Sequence, residues 1–260
     1  MTLFFLFPLA IVFAYSFPSK GDYGGVAAPV TFGSYARFFD PLYLRILGRT
    51  FVMAALATVL CVAIGYPLAY YIAFYGGRRK SALLFLGVLP FWTSFLVRTY
   101  AWIFLLRDTG LINTILIRLG WIRVPLPLLY NDGAVLLGLV YGFLPLMVLP
   151  LYASIERLDR TLLDAAADLG ARPLVSLIRV TAPLTRPGIY AGSILVFVSS
   201  VGAYITPDLL GGCKSILIGN LVQNQFTTAR DWPFGSAVSL LVMAFVVAGL
   251  QLYRRQGEIT

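Results

Sequence analysis

Six apolar stretches, residues 3–17, 51–75, 82–106, 134–152, 190–205 and 236–252, dominate this chain. An α-helix crosses the hydrocarbon of a bilayer with about 20 apolar residues. Inside lipid each backbone N–H and C=O must find its partner within the segment, so runs of this kind become helices. The pattern predicts an all-α integral membrane protein with about six transmembrane helices. Only 12% of the 260 residues are charged, against about 25% in soluble domains. No segment between the runs is long enough to bury a core of its own, so residues 1–260 read as a single transmembrane domain. The first run is short and opens at Met1 without a basic flank. A cleaved signal peptide is the competing assignment, but no small-x-small site follows, and a membrane helix is preferred. The fifth run is interrupted by Gly202 and is expected to end at Pro207, which cannot donate into a helical ladder. Pro67, Pro90, Pro145 and Pro150 lie within spans and are expected to kink them.

The net charge of +9 does not indicate nucleic acid, because the Lys and Arg residues fall between hydrophobic spans and form no soluble basic face with polar readers beside it. It orients a membrane protein instead. Residues 76–80, the connection at about 157–188 and the tail with Arg254 and Arg255 hold half of the basic residues. The longer connections at about 18–50, 107–133 and 206–235 hold nearly all the rest in about twice the length. Both termini and the 157–188 connection are therefore expected in the cytoplasm. Within 107–133 the pattern predicts a short helix over 111–119 closed by Gly120.

Reactive groups are scarce. The chain has no His, and Cys61 and Cys213 fall at different expected depths, so neither a disulfide nor a metal site is predicted. Residues 76–81 lack the glycine spacing of a nucleotide-binding phosphate loop. With no paired carboxylates inside the spans, neither a membrane-embedded enzyme nor an ion-coupled carrier has its groups.

The most informative stretch is LLDAAADLGARPLVSLIRVTAPLTRPG, residues 162–188. Thr161 with Asp164 three residues on has the form of a capping box, and Gly170 is placed to stop a helix in the left-handed conformation, predicting a helix over 162–169. Pro173 suits the first turn of a second helix, expected to end at Pro183. Ala165, Ala166 and Ala167 strip the first helix of bulk, so it can sit deep in a groove of another protein. A plain connector between two spans is the alternative.

The spacing of that stretch resembles the EAA loop of ABC importer permeases: Asp164-Ala165-Ala166, three residues, Gly170, nine residues, Val180, one residue, Ala182-Pro183. It departs from the family pattern with Asp for Glu, Val for Ile and Ala for Leu. GVLPFWTSFLVRTYAWIFLLRDTGLIN (87–113), YGFLPLMVLPLYASIERLD (141–159), GAYITPDLLGG (202–212) and DWPFGSA (231–237) look like the spermidine/putrescine branch of these permeases, a likeness covering about 34–252. The resemblance implies the type I importer permease fold with a cytoplasmic coupling helix, in the bacterial inner membrane. It also implies a partner ATPase dimer gripping Asp164, Ala165, Ala166, Gly170 and Pro183, a second permease subunit, identical or homologous, and an extracytoplasmic solute-binding protein. ATP and Mg would belong to the ATPase, and this chain would need no cofactor.

For an organic cation, aromatic faces and acidic groups are the expected contacts. Trp92, Tyr100, Trp102, Tyr204 and Asp208 are the pathway candidates, together with Arg98, whose charge inside an apolar run must face protein, water or the outer interface. The aromatic residues also suit an interfacial belt, and Arg98 could snorkel outward. Another small solute, opine-like or a different organic cation, is the alternative cargo, and an ion-coupled carrier the more distant one.

Overall fold

The computed structural model describes residues 2–21, 23–212 and 215–257. Cys213, and with it the expected absence of a disulfide, lies outside the described residues; Cys61 is a buried free thiol. Helix α1 (Thr2–Tyr15) leads into a small antiparallel hairpin of β1 (Pro18–Lys20) and β2 (Val26–Val30). Then follow α2 (Gly33–Phe38), α3 (Pro41–Tyr75), α4 (Lys80–Trp92), α5 (Phe95–Leu106), α6 (Leu111–Arg118) and α7 (Asp132–Glu156). A chain of short helices comes next, α8 (Thr161–Asp168), α9 (Pro173–Ser176), a π turn (Leu177–Thr181) and α10 (Ala182–Leu184). The long helix α11 (Arg186–Val201), a second π turn (Pro207–Gly211), α12 (Ile218–Phe226) and α13 (Trp232–Gly257) complete it.

Four helical segments are long and apolar enough to cross a bilayer: Pro41–Tyr75, Phe95–Arg118, Asp132–Glu156 and Trp232–Gly249. The pair Leu177–Leu184 and Arg186–Val201, bent by 69°, makes a fifth if it counts as one span. Helix α1, at 14 residues, reaches about 21 Å, short of the roughly 30 Å of hydrocarbon. The expected span 82–106 is broken: Ser94 leaves the helical region (ψ 132°) and starts α5 afresh. Pro90 lacks the N–H that the ladder needs, and Thr93 and Ser94 follow it as poor interior helix formers. The fifth run stops at Val201, ahead of Pro207, as Gly202 turns and Ala203 and Tyr204 lie outside any helix. Pro67, Pro145 and Pro150 sit inside unbroken helices. Helix α6 and Gly120 (φ +74°) match the expected short helix and its stop. The hairpin within 18–50 was not expected; it has no long alternating pattern to announce it.

The chain forms two compact units: Met1–Val52 with Val201–Asp208 and Ser215–Thr260, and Met53–Ser200 with Leu209–Lys214. In the first, Phe38, Leu217, Ile218, Phe234 and Val238 are buried, and Thr50 Oγ1 accepts from Ile218 N at 2.9 Å. Asp231 is the keystone there. Its Oδ1 caps α13 by accepting from Phe234 N at 3.2 Å, and its Oδ2 takes Arg37 Nη1 at 2.9 Å. The Arg37 guanidinium also lies 4.3 Å over the Phe234 ring. Asp231→Ala is expected to destabilise the protein by about 1–2 kcal/mol, mostly through loss of the cap. Arg37→Lys should cost less, because that partner is half exposed. Melting of the detergent-solubilised variants checks both, and equal midpoints would refute the assignment.

In the second unit α7 is the centre. Lipid tails are as apolar as leucine, so helices in membranes associate by close backbone packing at small residues. A Cβ placed on Gly65 of α3 would lie 3.2 Å from Met147 Cγ, and one on Gly142 would lie 3.2 Å from Phe95 Cε2. Helix α11 comes closer still: a Cβ on Gly188 would lie 2.4 Å from Ser154 Cβ, and one on Gly192 would lie 2.6 Å from Met147 Sδ.

Candidate functional site

Helix α8 begins one residue before the expected start, and its first turn is capped differently. The cap position is Arg160, with no side-chain cap, and Asp159 Oδ1 accepts from Thr161 N at 3.0 Å. The Thr161–Asp164 capping box does not form, because Thr161 is already the first helical residue and an acidic acceptor two residues upstream has taken its N–H. The C-terminal stop is as expected. Gly170 adopts φ +79°, Gly170 N donates to Ala167 O at 2.8 Å and Ala171 N to Ala166 O at 3.0 Å. These two bonds make a Schellman stop, which satisfies carbonyls the helix end would otherwise orphan.

Ala166 packs inward and is buried, while Asp164, Ala165, Asp168 and Gly170 are exposed. Leu162 is 45% exposed and Leu169 is 89% exposed. Leu162, Ala165 and Leu169 fall at i, i+3 and i+7, so the outward face of α8 carries an apolar stripe edged by Asp164 and Asp168. Sequence reading passed over both leucines. Their helical spacing, three and four residues from Ala166 and so flanking it on one side of the helix, was the available signal.

Pro183 does not end the second helix. It lies inside α10, after the π turn, and the chain bends at Thr185. A proline at 183 leaves the carbonyl four residues back without its usual donor, and the wider π turn at Leu177–Thr181 absorbs that irregularity. Thr185 Oγ1 donates to Thr181 O at 2.8 Å, so the buried 2.9 Å contact with Tyr66 has the tyrosine hydroxyl donating to Thr185. The elbow is thereby tied to α3. Arg160 Nη2 donates to Phe74 O at 3.0 Å near the end of α3, where a cation complements the helix dipole. Lys80 Nζ meets Glu156 Oε1 at 3.4 Å, joining the start of α4 to the end of α7. An open groove of about 550 Å³, lined by Pro150, Ser154, Arg157, Leu162, Leu184 and Gly188, lies alongside. A bare helix face beside a braced elbow is an arrangement that can receive a partner's push and pass it to α11.

Within the second unit the pathway candidates do not converge on one point. Trp92 ends α4, 75% exposed and edge-on to Phe85 at 5.3 Å. Arg98 and Trp102 share one face of α5, Trp102 packing edge-on to Tyr141 at 5.5 Å, while Tyr100, 50% exposed, lies on the opposite face by helical phase. In the other unit Tyr204 stands in the unwound segment after α11. Its carbonyl accepts from Asn220 Nδ2 at 2.9 Å and from Asp208 N at 3.1 Å. Tyr204 lines a small pocket of about 340 Å³ with Gly202, Gly219, Val222 and Gln223. Asp208 is exposed. Among the described residues no group of three or more His, Cys, Asp or Glu could hold a metal ion.

The sequence profile of a family described as "Binding-protein-dependent transport system inner membrane component" matches residues 65–256. The "Spermidine/putrescine transport system permease protein PotB" of Escherichia coli K12 is 42% identical over 97% of this chain and 91% of its own length. That of Haemophilus influenzae is 40% identical over all of this chain and 91% of its own. Among solved structures, a bacterial ABC transporter involved in the import of the acidic polysaccharide alginate superposes with a TM-score of 0.71 at 16% identity, covering 97% of this chain and 91% of that one. At that identity the last likeness concerns the fold alone.

Proposed function

Because the chain belongs to the binding-protein-dependent transport system inner membrane components, we propose that it is the permease subunit of an ATP-binding-cassette importer that moves polyamines of the spermidine/putrescine class across the bacterial inner membrane. The cargo is supported by relatives 40–42% identical over nearly the whole chain, both named as spermidine/putrescine permeases. The mechanism is supported by α8, whose outward apolar stripe is left bare by the chain's own packing.

In this reading a separate ATPase dimer, which alone binds ATP and Mg, grips α8 at Asp164, Ala165 and Gly170, with Leu162 and Leu169 filling its groove. Ala166 and Pro183 set the loop's shape from within. Closure of the ATPase pair displaces α8 to α10, and the elbow at Thr185 delivers the motion to α11. Coupling requires that the docked loop be bound unequally in the inward-open and outward-open states, since equal affinity shifts nothing. A second membrane subunit completes the channel and a solute-binding protein delivers the cargo from outside. Both termini lie in the cytoplasm, on the same side as α8.

The carboxylates of the four spanning segments are Asp108, in the turn between α5 and α6, and Asp132 and Glu156, at the two ends of α7; none stands in mid-helix, which argues against a proton- or sodium-coupled carrier. The same poverty means that this subunit passes a polyamine over aromatic faces and carbonyls and does not hold it tightly. Trp92, Tyr100, Trp102, Tyr204 and Asp208 are proposed as separate cargo contacts, each taken by itself.

The test is reconstitution in proteoliposomes with the second membrane subunit, the ATPase and the binding protein. ATP hydrolysis should rise with spermidine-loaded binding protein, and labelled spermidine should accumulate only with ATP. Accumulation driven by an ion gradient without ATP would refute the importer reading. ATP-driven uptake of another solute with no response to polyamines would refute the cargo.

A further inference from the structure

Arg98 stands one turn into α5 with its Nε and Nη1 enclosed and without a hydrogen-bond partner. The guanidinium lies 5.6 Å from the Phe91 ring and 5.5 Å from the Phe95 ring. Ring faces attract a cation but take none of the hydrogen bonds that its five N–H groups offer. The position compounds the problem. Arg98 occupies the first turn of a helix whose cap residue, Ser94, supplies no side-chain bond, so a positive side chain sits at the positive end of the helix dipole.

The surroundings narrow what can supply the missing anion. Only 17% of the apolar window of Phe95–Arg118 is buried by the chain itself, against 39%, 50% and 33% in the other three spans. Val97, beside Arg98, is 64% exposed. Lipid tails could cover the apolar part of that face, but they offer no acceptor to a guanidinium. A cationic cargo would be repelled. Arg98 as a whole is only half-buried, and Nη2 is not among its enclosed, partnerless nitrogens.

We propose that Arg98 receives a carboxylate of the second membrane subunit, and that the face of α4 and α5 around it is where the two permease subunits meet. This rests on the two-subunit channel proposed above. It moves Arg98 from the pathway candidates to the subunit interface, where a desolvated charge pair fixes register and partner choice.

The complete complex provides the test. A benzophenone amino acid placed at Val97 should, on irradiation in membranes, attach to the second membrane subunit. The same probe at Val59, equally exposed on α3, serves as the reference. Independently, Arg98→Met should lower recovery of the second subunit in a pull-down roughly thirtyfold or more, with Arg98→Lys in between and ATPase recovery on this chain retained. Attachment at Val97 to lipid only, or recovery unchanged in a folded Arg98→Met protein, overturns the proposal. If Arg98→Met fails to fold, the irradiation result decides alone. Loss of the ATPase as well from a folded variant would count against the permease assembly itself and not only against this contact.

Discussion

Gly170→Val will strip the ATPase from the solubilised transporter and leave the membrane helices folded. Gly170 holds φ +79°, and a Cβ there meets nothing within 4 Å, so space does not forbid a side chain. The backbone does. A left-handed residue with a Cβ costs about 1–2 kcal/mol, more when β-branched, and the escape is to unwind the stop. Unwinding breaks the bonds from Gly170 N to Ala167 O and from Ala171 N to Ala166 O, and it re-aims Leu169, the most exposed apolar side chain of α8. We expect co-purification of the ATPase to fall roughly tenfold or more, by the conformational cost alone. Gly170→Asn, which tolerates the left-handed region, should stay near wild type. Gly170→Asp should fall between, adding a charge close to Asp168. Unchanged binding by Gly170→Val would reduce residues 162–188 to a connector.

The contrast between Gly170 and Thr185 shows which parts of this protein are written locally. Helices α6 and α8 end within a residue of where Gly120 and Gly170 predict, because a glycine stop depends on its own backbone and the turn before it. The start of α8 lies one residue from the expected one because two acceptors, Thr161 and Asp159, compete for one role and only geometry separates them. The elbow at Thr185 was invisible. Its bend depends on Tyr66, 119 residues away in the chain, and on a π turn that no periodicity marks. The same holds for the pathway candidates. Trp92, Arg98, Tyr100 and Trp102 share one apolar run, but the break at Thr93–Ser94 separates Trp92 in helical phase from the other three, and within α5 the two-residue spacing alone puts Tyr100 on the far face from Arg98 and Trp102. Apolar runs show where helices can form; where they break and which way they face is fixed by local chemistry and by the contacts between them.

Gly188→Ala should be the most damaging single-methyl change at the crossing of α7 and α11. Gly188 and Gly192 are four apart, one above the other on α11, and together they let α7 approach to backbone distance. The added Cβ of Gly188→Ala would lie 2.4 Å from Ser154 Cβ and 2.8 Å from Pro150 O, and the second of these is backbone that has no rotamer to change. Relief requires the helices to part, at a cost of about 1–3 kcal/mol or more, and parting them also weakens the neighbouring contact at Gly192. Gly87→Ala is the matched reference: its Cβ meets nothing within 4 Å, and exchanging glycine for alanine in a helix is favourable by up to about 1 kcal/mol. Monodisperse yield and melting temperature in detergent should fall for Gly188→Ala and hold or rise for Gly87→Ala. Ser154→Gly in the Gly188→Ala background should restore only part of the loss, because it removes one obstacle and leaves the Pro150 carbonyl. The crossing lies directly after the elbow, so its tightness decides whether motion entering at α8 turns α11 as a rigid rod or dissipates as a gap against α7. A Gly188→Ala protein that folds but hydrolyses ATP without moving cargo would be the signature of that gap; one that folds and transports like wild type would mean that the two helices never need to touch.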